Sequence, residues 1–477
     1  MGPAAVMDPN PWMIAPFGLL LAAIALGPLF FSGWWNRNYP LVTAALAAVT
    51  VGYYLLGLGA RDRVLAVAHE YVSFIALIGS LFVVAGGIHI TVKGEATPLA
   101  NVVFLLIGAV VANLVGTTGA SMLLIRPWLH LNKYRLTAHH VVFFIFIVSN
   151  VGGCLTPVGD PPLFLGYLKG IPFWWVAEHC WPMWALGVGL LLGTFWIVDY
   201  RNYLRAPKAV RAALAEPADH WRFEGLLNLV FLAVILASVF ITHPPFLREG
   251  IMLVAALASY FATAKEVHHA NHFNFHPIRE VAVLFVGIFA TMMPALDWLQ
   301  LNAGKLGVAT PALFYWGSGT LSSVLDNAPT YLSFLSAVYG SFIDQDIISQ
   351  VQHLVQTHGA DLAAATGPHA EAIRQTFAAL GKYFPAALAA GGVSTEQIEM
   401  AFLLGNAAFS RYLVAISVGA VFFGANTYIG NGPNFMVKSI ADHRRARTPS
   451  FLGYILRFTL PFMLPMLVVV WWVFFRR

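Results

Sequence analysis

The sequence predicts an all-α polytopic membrane protein made of two inverted-topology repeats, each with five spanning helices and one re-entrant hairpin, with discontinuous helices at the centre. Three observations predict it. Of the 477 residues, 58% are hydrophobic and only 10% are charged, against roughly 25% charged in ordinary soluble domains. Apolar runs near the ~20 residues needed to cross a bilayer recur from end to end, which favours helical spans over a barrel. Finally, interruptions rich in Gly, Pro, Asn and Thr break some of these runs in corresponding places of the two halves. Paired breaks of that kind point to a binding site between repeats.

Residues 1–198 form the first expected repeat. Its opening run, Ile14 to Phe31, has no Lys or Arg before it and no clear small-residue cleavage site after it, so it reads as a retained span and not a signal peptide. Spans near 14–33, 40–59 and 67–90 follow one another. The run 99–131 is broken at NLVGTTGAS, Asn113 to Ser121. Each of its arms is short for a bilayer, so a hairpin that turns back fits better than two crossings. A broken helix, 138–168, comes next. Here Val141 to Val148 lead without a polar residue into SNVGGCLTPVGDPP, residues 149–162. Unpaired amides in hydrocarbon cost several kcal/mol each, so this unwound backbone must line something polar. Gly152, Gly153 and Gly159 permit close backbone approach, Pro157, Pro161 and Pro162 stop the helix, and Ser149, Asn150, Thr156 and Asp160 supply oxygens. A span near 181–198 ends the repeat.

A polar linker, 199–224, carries Arg201, Arg205, Lys208, Arg211 and Arg222. The second repeat, 225–477, then restarts the order with spans near 225–243, 250–264 and 281–298. Its hairpin, 312–343, is broken at LSSVLDNAPTY, Leu321 to Tyr331. A polar insert, 344–400, precedes a second broken helix, 400–437, interrupted at GANTYIGNGPN, Gly424 to Asn434, and a last span covers 451–474. The correspondence is one of element order and not of letters. Five crossings and a hairpin make an odd number, so the second repeat must be inverted.

Loop charges give the orientation. With the linker inside, the loop of Arg126, Lys133 and Arg135 is inside too, as are Lys438, Arg444, Arg445 and Arg447. The insert falls outside, and Asp344, Asp346, Asp361, Glu371, Glu396 and Glu399 outnumber Arg374 and Lys382 there, as the positive-inside rule expects. Arg61 and Arg63, with Arg476 and Arg477, fit this arrangement poorly. The insert is expected to form short outer helices that either cap the second hairpin or support a homodimer.

Asp160 and Asp326 are the only acids in the four breaks. Ionisable groups are costly at membrane depth and are functional candidates there. Desolvation favours a protonated carboxyl and a bound sodium ion favours the carboxylate, so one group can hold either. Asn, Thr and backbone oxygens are hard ligands suited to an alkali cation. The candidate ligands are Asn113, Thr117, Thr118, Asn150, Thr156, Asp160, Asp326, Asn327, Thr330, Asn426 and Thr427. Gly152, Gly153, Pro157, Gly159, Pro329, Gly430, Gly432 and Pro433 make the breaks. Asp326 is expected to matter most. The plain structural alternatives are a helix stop for Asp160 and a helix cap for Asp326.

Other polar groups have simpler expectations. Arg135 and Arg411 read as snorkelling anchors. His89, His139, His140 and Asp297 read as hydrated groups at span ends, and Trp174, Trp175, Trp471 and Trp472 as an interface belt. His268, His269, His272 and His276 with Glu266 match no defined metal spacing. The two cysteines, Cys154 and Cys180, form no framework, and the scattered net charge of +5 suggests no nucleic-acid partner. With no His/Glu metal pair or Ser/His set in the spans, no enzyme is expected. Nor is a cofactor or a metal expected beyond a transported or coupling sodium ion.

SNVGGCLTPVGDPP followed by LDNAPTY resembles the ion-transporter superfamily over nearly the whole chain in element order. Within it the chain particularly resembles the NhaD-type sodium/proton antiporters, the arsenite-pump membrane subunits and the P-protein group, with citrate and dicarboxylate carriers as further relatives. In those families a Ser/Ala-Asn, small-residue, Thr/Ser-Pro-x-Gly-Asp segment is a binding helix, matched by Asn150, Thr156, Pro157, Gly159 and Asp160. An Asp-Asn-x-Pro hairpin tip is matched by Asp326, Asn327 and Pro329. The chain departs from the antiporters in its first hairpin, where Asn113 is followed by Gly116, Thr117, Thr118 and Gly119 without an acid. GANTYIGNGPN looks nearer to the carboxylate carriers. The resemblance implies a multi-pass secondary transporter in a bacterial-type cytoplasmic membrane, surrounded by lipid. Sodium/proton antiport is the first expectation, and sodium- or proton-coupled transport of citrate, a dicarboxylate or an oxyanion is the alternative.

Overall fold

The computed structural model describes residues 6–91, 97–205, 222–241, 244–305, 307, 309–357, 369–444, 446 and 448–476. Lys208 and Arg211 of the expected linker, Asp361 of the insert, and Arg445, Arg447 and Arg477 lie outside them. The protein is a helical membrane protein. Among the described residues eight helices are long and apolar enough to cross a bilayer.

The first half runs through α1 (Ala15–Phe30), α2 (Ser32–Gly52), α3 (Arg61–Gly86), a short strand β1 (His89–Thr91), α4 (Pro98–Leu131), α5 (Ala138–Ile147), α6 (Pro161–Leu168) and α7 (Trp175–Arg205). Thr97 caps α4 by accepting from the Ala100 amide at 3.2 Å. Inside α4 the helix stops at Gly116, whose φ of 76° and ψ of 156° suit glycine and few other residues. The two arms fold back on each other. Asn101 and Asn132, near opposite ends of the segment, exchange amide hydrogen bonds of 2.8 and 3.1 Å. A straight helix of this length would hold its ends roughly 50 Å apart. The segment therefore doubles back on itself, with its tip at Gly116.

Strand β2 (Arg222–Glu224) pairs antiparallel with β1. The second half follows as α8 (Asn228–Ser238), α9 (Leu247–Ala262), α10 (Lys265–Ala270), α11 (His276–Asn302), α12 (Pro311–Ser322) and α13 (Asn327–Phe342). Helices α12 and α13 are the arms of the second hairpin, held by the Phe314 and Phe334 rings at 5.7 Å. Beyond them lie α14 (Gln345–Gln356), α15 (Ala370–Tyr383), α16 (Pro385–Ala389), α17 (Thr395–Gly405), α18 (Ala407–Phe423), α19 (Gly432–His443), α20 (Phe451–Tyr454) and α21 (Leu464–Phe474). The turns from Ile455 to Met463 are wide π-type turns around Pro461.

Several boundaries differ from the sequence reading. The second broken helix does not start at Met400. Asn406 accepts from the Ala408 amide at 2.8 Å and begins α18, leaving α17 as a separate helix of the insert. Asp199 to Arg205, read as linker, continue α7. The span expected at 225–243 is an eleven-residue helix.

The packing interleaves the halves. Helix α4 of the first hairpin packs on α19, and α13 of the second packs on α6. At the centre, α5 is buried from His139 to Ile147, so this apolar rod touches protein on all sides.

Two groups expected at hydrated ends are instead buried ion pairs. Asp297 is fully buried and takes Arg63 Nη2 at 2.6 Å and the Tyr54 hydroxyl at 2.8 Å, tying α3 to α11. Asp199, also fully buried, accepts both Nη atoms of Arg135 and the Asn101 amide at 2.9 Å. Arg135 is therefore not a snorkelling anchor, and His139 and His140 stack beside this pair at 4.1 Å. Trp175 is buried against His179 and does not face an interface. Removing one partner of a buried pair strands the other charge, so Arg63→Ala should destabilise the fold by about 3–5 kcal/mol. Thermal unfolding in detergent should show a large drop for that variant and a smaller one for Arg63→Met combined with Asp297→Leu.

Candidate functional site

After Ile147 the chain leaves the helix, and Asn150 adopts φ −141° and ψ −86°. The loop then crosses itself. A Cβ at Gly159 would lie 2.2 Å from the Gly153 carbonyl oxygen, and one at Gly153 would lie 2.8 Å from that of Gly159. The second broken helix repeats this crossing, since a Cβ at Gly430 would sit 2.6 Å from the Gly424 oxygen.

The wiring repeats as well. Thr156 Oγ1 donates to the Asn113 carbonyl at 2.6 Å and accepts from the Gly159 amide at 3.0 Å. Thr427 Oγ1 donates to the Ser323 carbonyl at 2.6 Å and accepts from the Gly430 amide at 3.1 Å. In each half a loop threonine ties the discontinuous helix to its hairpin tip. A constant offset superimposes Gly153, Thr156, Gly159 and Pro162 on Gly424, Thr427, Gly430 and Pro433, with Asp160 opposite Asn431. A second offset sets Gly116 and Thr117 opposite Asp326 and Asn327. The halves therefore do correspond in letters, a signal the element-order comparison missed.

All four breaks meet at Asp160. Its Oδ1 accepts from Thr117 Oγ1 at 2.7 Å and Asn431 Nδ2 at 3.1 Å, and its Oδ2 accepts from Asn327 Nδ2 at 2.5 Å. The residue is 1% exposed, and its side chain makes no capping bond to α6. Its three hydrogen-bond donors are all neutral, and among the described residues no side-chain cation is hydrogen-bonded to it.

Asn431 also reaches the Ser149 carbonyl and Asn150 Oδ1, each at 3.2 Å. Asn150 donates to the Ile145 carbonyl at 2.8 Å and to Asn434 Oδ1 at 2.7 Å. Asn434 in turn closes the second loop through the carbonyls of Gly424 and Thr427. Asn431 and Asn434 were absent from the sequence-derived ligand set, although the offset that pairs Asp160 with Asn431 would have found the first.

The remaining candidates divide into two groups. Asn113 is a cross-tie within the first half, donating to the Gly152 carbonyl at 2.7 Å and accepting from the Leu155 amide at 2.8 Å. Asn426 is the counterpart tie, donating to Ser323 Oγ at 2.8 Å. Thr330 bonds back to the Asp326 carbonyl. Asp326 caps α13 through the Ala328 amide at 3.1 Å, as its structural alternative proposed, and is only half-buried. Asp326 also lines a small cleft together with Thr118, Asn431, Gly432 and Phe285. A neighbouring cleft, lined by Thr117, Thr118 and Gly159, shares Ile78, Phe82 and Pro161 with it. Among the described residues, no Lys, Arg or His lines either cleft.

Two amide oxygens complete the picture. Asn327 Oδ1 and Asn426 Oδ1 are buried and accept no hydrogen bond from protein. The Asn327 amide is oriented by Asp160, whose carboxylate can only accept, so its oxygen must face the other way. A buried acceptor left without a donor costs about 1–3 kcal/mol, a cost that a bound cation or a protonated ligand removes.

Among the described residues one other cluster has metal-like composition: His139, His140 and Asp199. The Thr137 amide points at His140 Nδ1 at 3.2 Å. That nitrogen therefore accepts, and a neutral ring carries its proton on Nε2, 3.0 Å from Asp199 Oδ1. With Arg135 already on the carboxylate, the cluster is an ion-pair knot. Among the described residues, the His268 set forms no metal-capable group.

A polytopic helical fold with unwound helices and hairpin tips converging on a buried acid defines a secondary transporter. The chain belongs to the family described as "Putative citrate transport", whose family model matches residues 7–475. It is therefore a transporter and not an enzyme. No curated protein matches it.

The crossing loops give a sharp test. Gly159→Ala drives a Cβ into backbone, whereas Gly432→Ala meets nothing within 4 Å. The first variant should lose at least about 1–3 kcal/mol of stability together with ligand protection against unfolding. The second should keep both in the same thermal assay.

Proposed function

We propose that this protein is a cation-coupled carrier of a small carboxylate of the citrate or dicarboxylate class, working by alternating access in a bacterial-type cytoplasmic membrane. The observation that carries the proposal is the buried Asp160, held by Thr117, Asn327 and Asn431 from the other elements of the site, next to the unpaired Asn327 Oδ1. The family description favours that substrate class. The clefts supply a constraint. An anion that meets two aspartates and no basic side chain must have its charge compensated, and sodium ions or protons at Asp160 and Asp326 would do this. Carboxylate and amide oxygens are the hard donors an alkali cation prefers.

The repeated loop wiring supports two inverted repeats, 1–198 and 225–477, joined by the segment 199–224. In that arrangement the clefts open toward the inside, because Pro277 and Ile278 at the start of α11 line one of them. The insert then lies outside. Arg63 no longer counts against this orientation, since Asp297 neutralises it. A homodimer through the insert belongs to the same proposal.

Sodium/proton antiport is the second reading. The acid-only lining favours it, since such a site can take a cation with no anion present. Everted vesicles assayed across pH with sodium, lithium and citrate in parallel separate the two. Citrate uptake dependent on sodium or a proton gradient supports the carrier, and sodium-driven dequenching of a pH dye without citrate supports antiport. Asp160→Asn should abolish either activity. Asp326→Asn should raise the apparent KM for the coupling cation about tenfold, a loss of ~1.4 kcal/mol. An Asp160→Asn protein with unimpaired flux would remove that carboxylate from the mechanism.

A further inference from the structure

The short helix α6 has the buried acid at one end and a second charged group at the other. Asp160 occupies its N-cap position and Lys169 its C-cap position, roughly 12 Å apart for eight helical residues. Lys169 Nζ lies 2.5 Å from Glu70 Oε1 of α3, with the two side chains only 20% and 17% exposed. Beside this pair, the Tyr167 hydroxyl donates to the Val239 carbonyl after α8 at 2.8 Å, and the Phe173 ring meets Phe240 at 4.7 Å. The far end of α6 is thus fastened to α3 and to the end of α8.

The near end behaves differently. Around Asp160 and Pro161 two small clefts lie between α3 and the site, lined on the α3 side by Ile78 and Phe82. Glu70 and Ile78 are eight residues apart on α3, again roughly 12 Å. One interface is therefore open at one end of α6 and clasped at the other.

The clasp differs in kind from the two permanent ion pairs. Arg63–Asp297 and Arg135–Asp199 have fully buried carboxylates, so separating them would be costly. The Lys169–Glu70 side chains keep about a fifth of their surface in contact with water, so desolvation opposes separating them less than it opposes separating the two pairs with fully buried carboxylates.

We propose that the Lys169–Glu70 pair is the releasable latch that closes the site on the side away from the clefts, and that it must separate for Asp160 to become accessible there. The inference rests on the transport reading above. Because α6 is short and rigid, displacing Asp160 displaces Lys169, so a change of occupant at one end is felt at the other.

The test joins the two positions. A Glu70→Cys, Lys169→Cys variant in proteoliposomes is treated with a short bis-methanethiosulfonate crosslinker, and Cys154 and Cys180, both buried, serve as the untreated-site control in the wild type. Crosslinking should lower sodium- or proton-coupled citrate flux at least tenfold, dithiothreitol should restore it, and equilibrium binding of sodium in detergent should change less than twofold. Flux unaffected by the crosslink overturns the latch, and so does parallel loss of binding, which would make the pair a support for the site's shape. Lys169→Gln provides a readout that needs neither cysteines nor transport. Its amide hydrogen exchange should quicken at the end of α6 and the end of α8 while α5 is unchanged, and unaltered exchange at both ends overturns the latch. Wild-type protein that moves neither sodium nor citrate would overturn the transport reading, with the exchange measurement still deciding the latch.

Discussion

One carboxylate organises this protein. Asp160 is buried without a cationic side chain among its hydrogen-bond partners, and its three donors come from the first hairpin, the second hairpin and the second discontinuous helix. A charge so placed is tolerable only if the donors are fixed or if a proton or cation shares the site. The rest of the fold follows from that requirement. Backbone must unwind to bring four segments to one point, glycines must let the loops cross, and threonines must recover the hydrogen bonds that unwinding exposes.

The surroundings are rigid where the centre is adaptable. The Asp297 knot ties α3 to α11, and the Asp199 knot ties the base of the first hairpin to α7. Both are buried pairs, costly to break and insensitive to solvent. Between them α5 runs as a fully buried apolar rod from the Asp199 knot to Asn150. The proposed carrier therefore consists of a stiff frame around a charged centre, with a less deeply buried ion pair, Lys169–Glu70, at the far end of α6.

Much of the architecture was legible in the sequence because bilayer-length apolar runs and Gly/Pro interruptions are strong physical signals. Both hairpins, both discontinuous helices and the two acids could be placed from them. What escaped was partnership. Arg135, His139, His140, Arg63 and Asp297 all sit near span ends, where linear sequence suggests hydration, yet the fold buries them against each other. Nothing in their local sequence distinguishes an anchor from half of an ion pair. The two acids also differ in ways their local sequence does not show. Asp326 stands out by following an apolar hairpin arm, but its geometry is that of a helix cap, while Asp160 precedes two prolines and looks like a helix stop although all the breaks reach it. Asn431 was readable, but only by sliding one half of the chain along the other.

Heavy-atom substitution at the centre addresses the main claim most directly. Thallium, a scatterer that mimics alkali cations, soaked into crystals of the protein should give an anomalous peak within coordination distance of Asp160 and of Asn327 Oδ1. The peak should vanish in Asp160→Asn crystals. A peak located instead among His139, His140 and Asp199, or one at the centre that survives the loss of the Asp160 charge, would contradict the account.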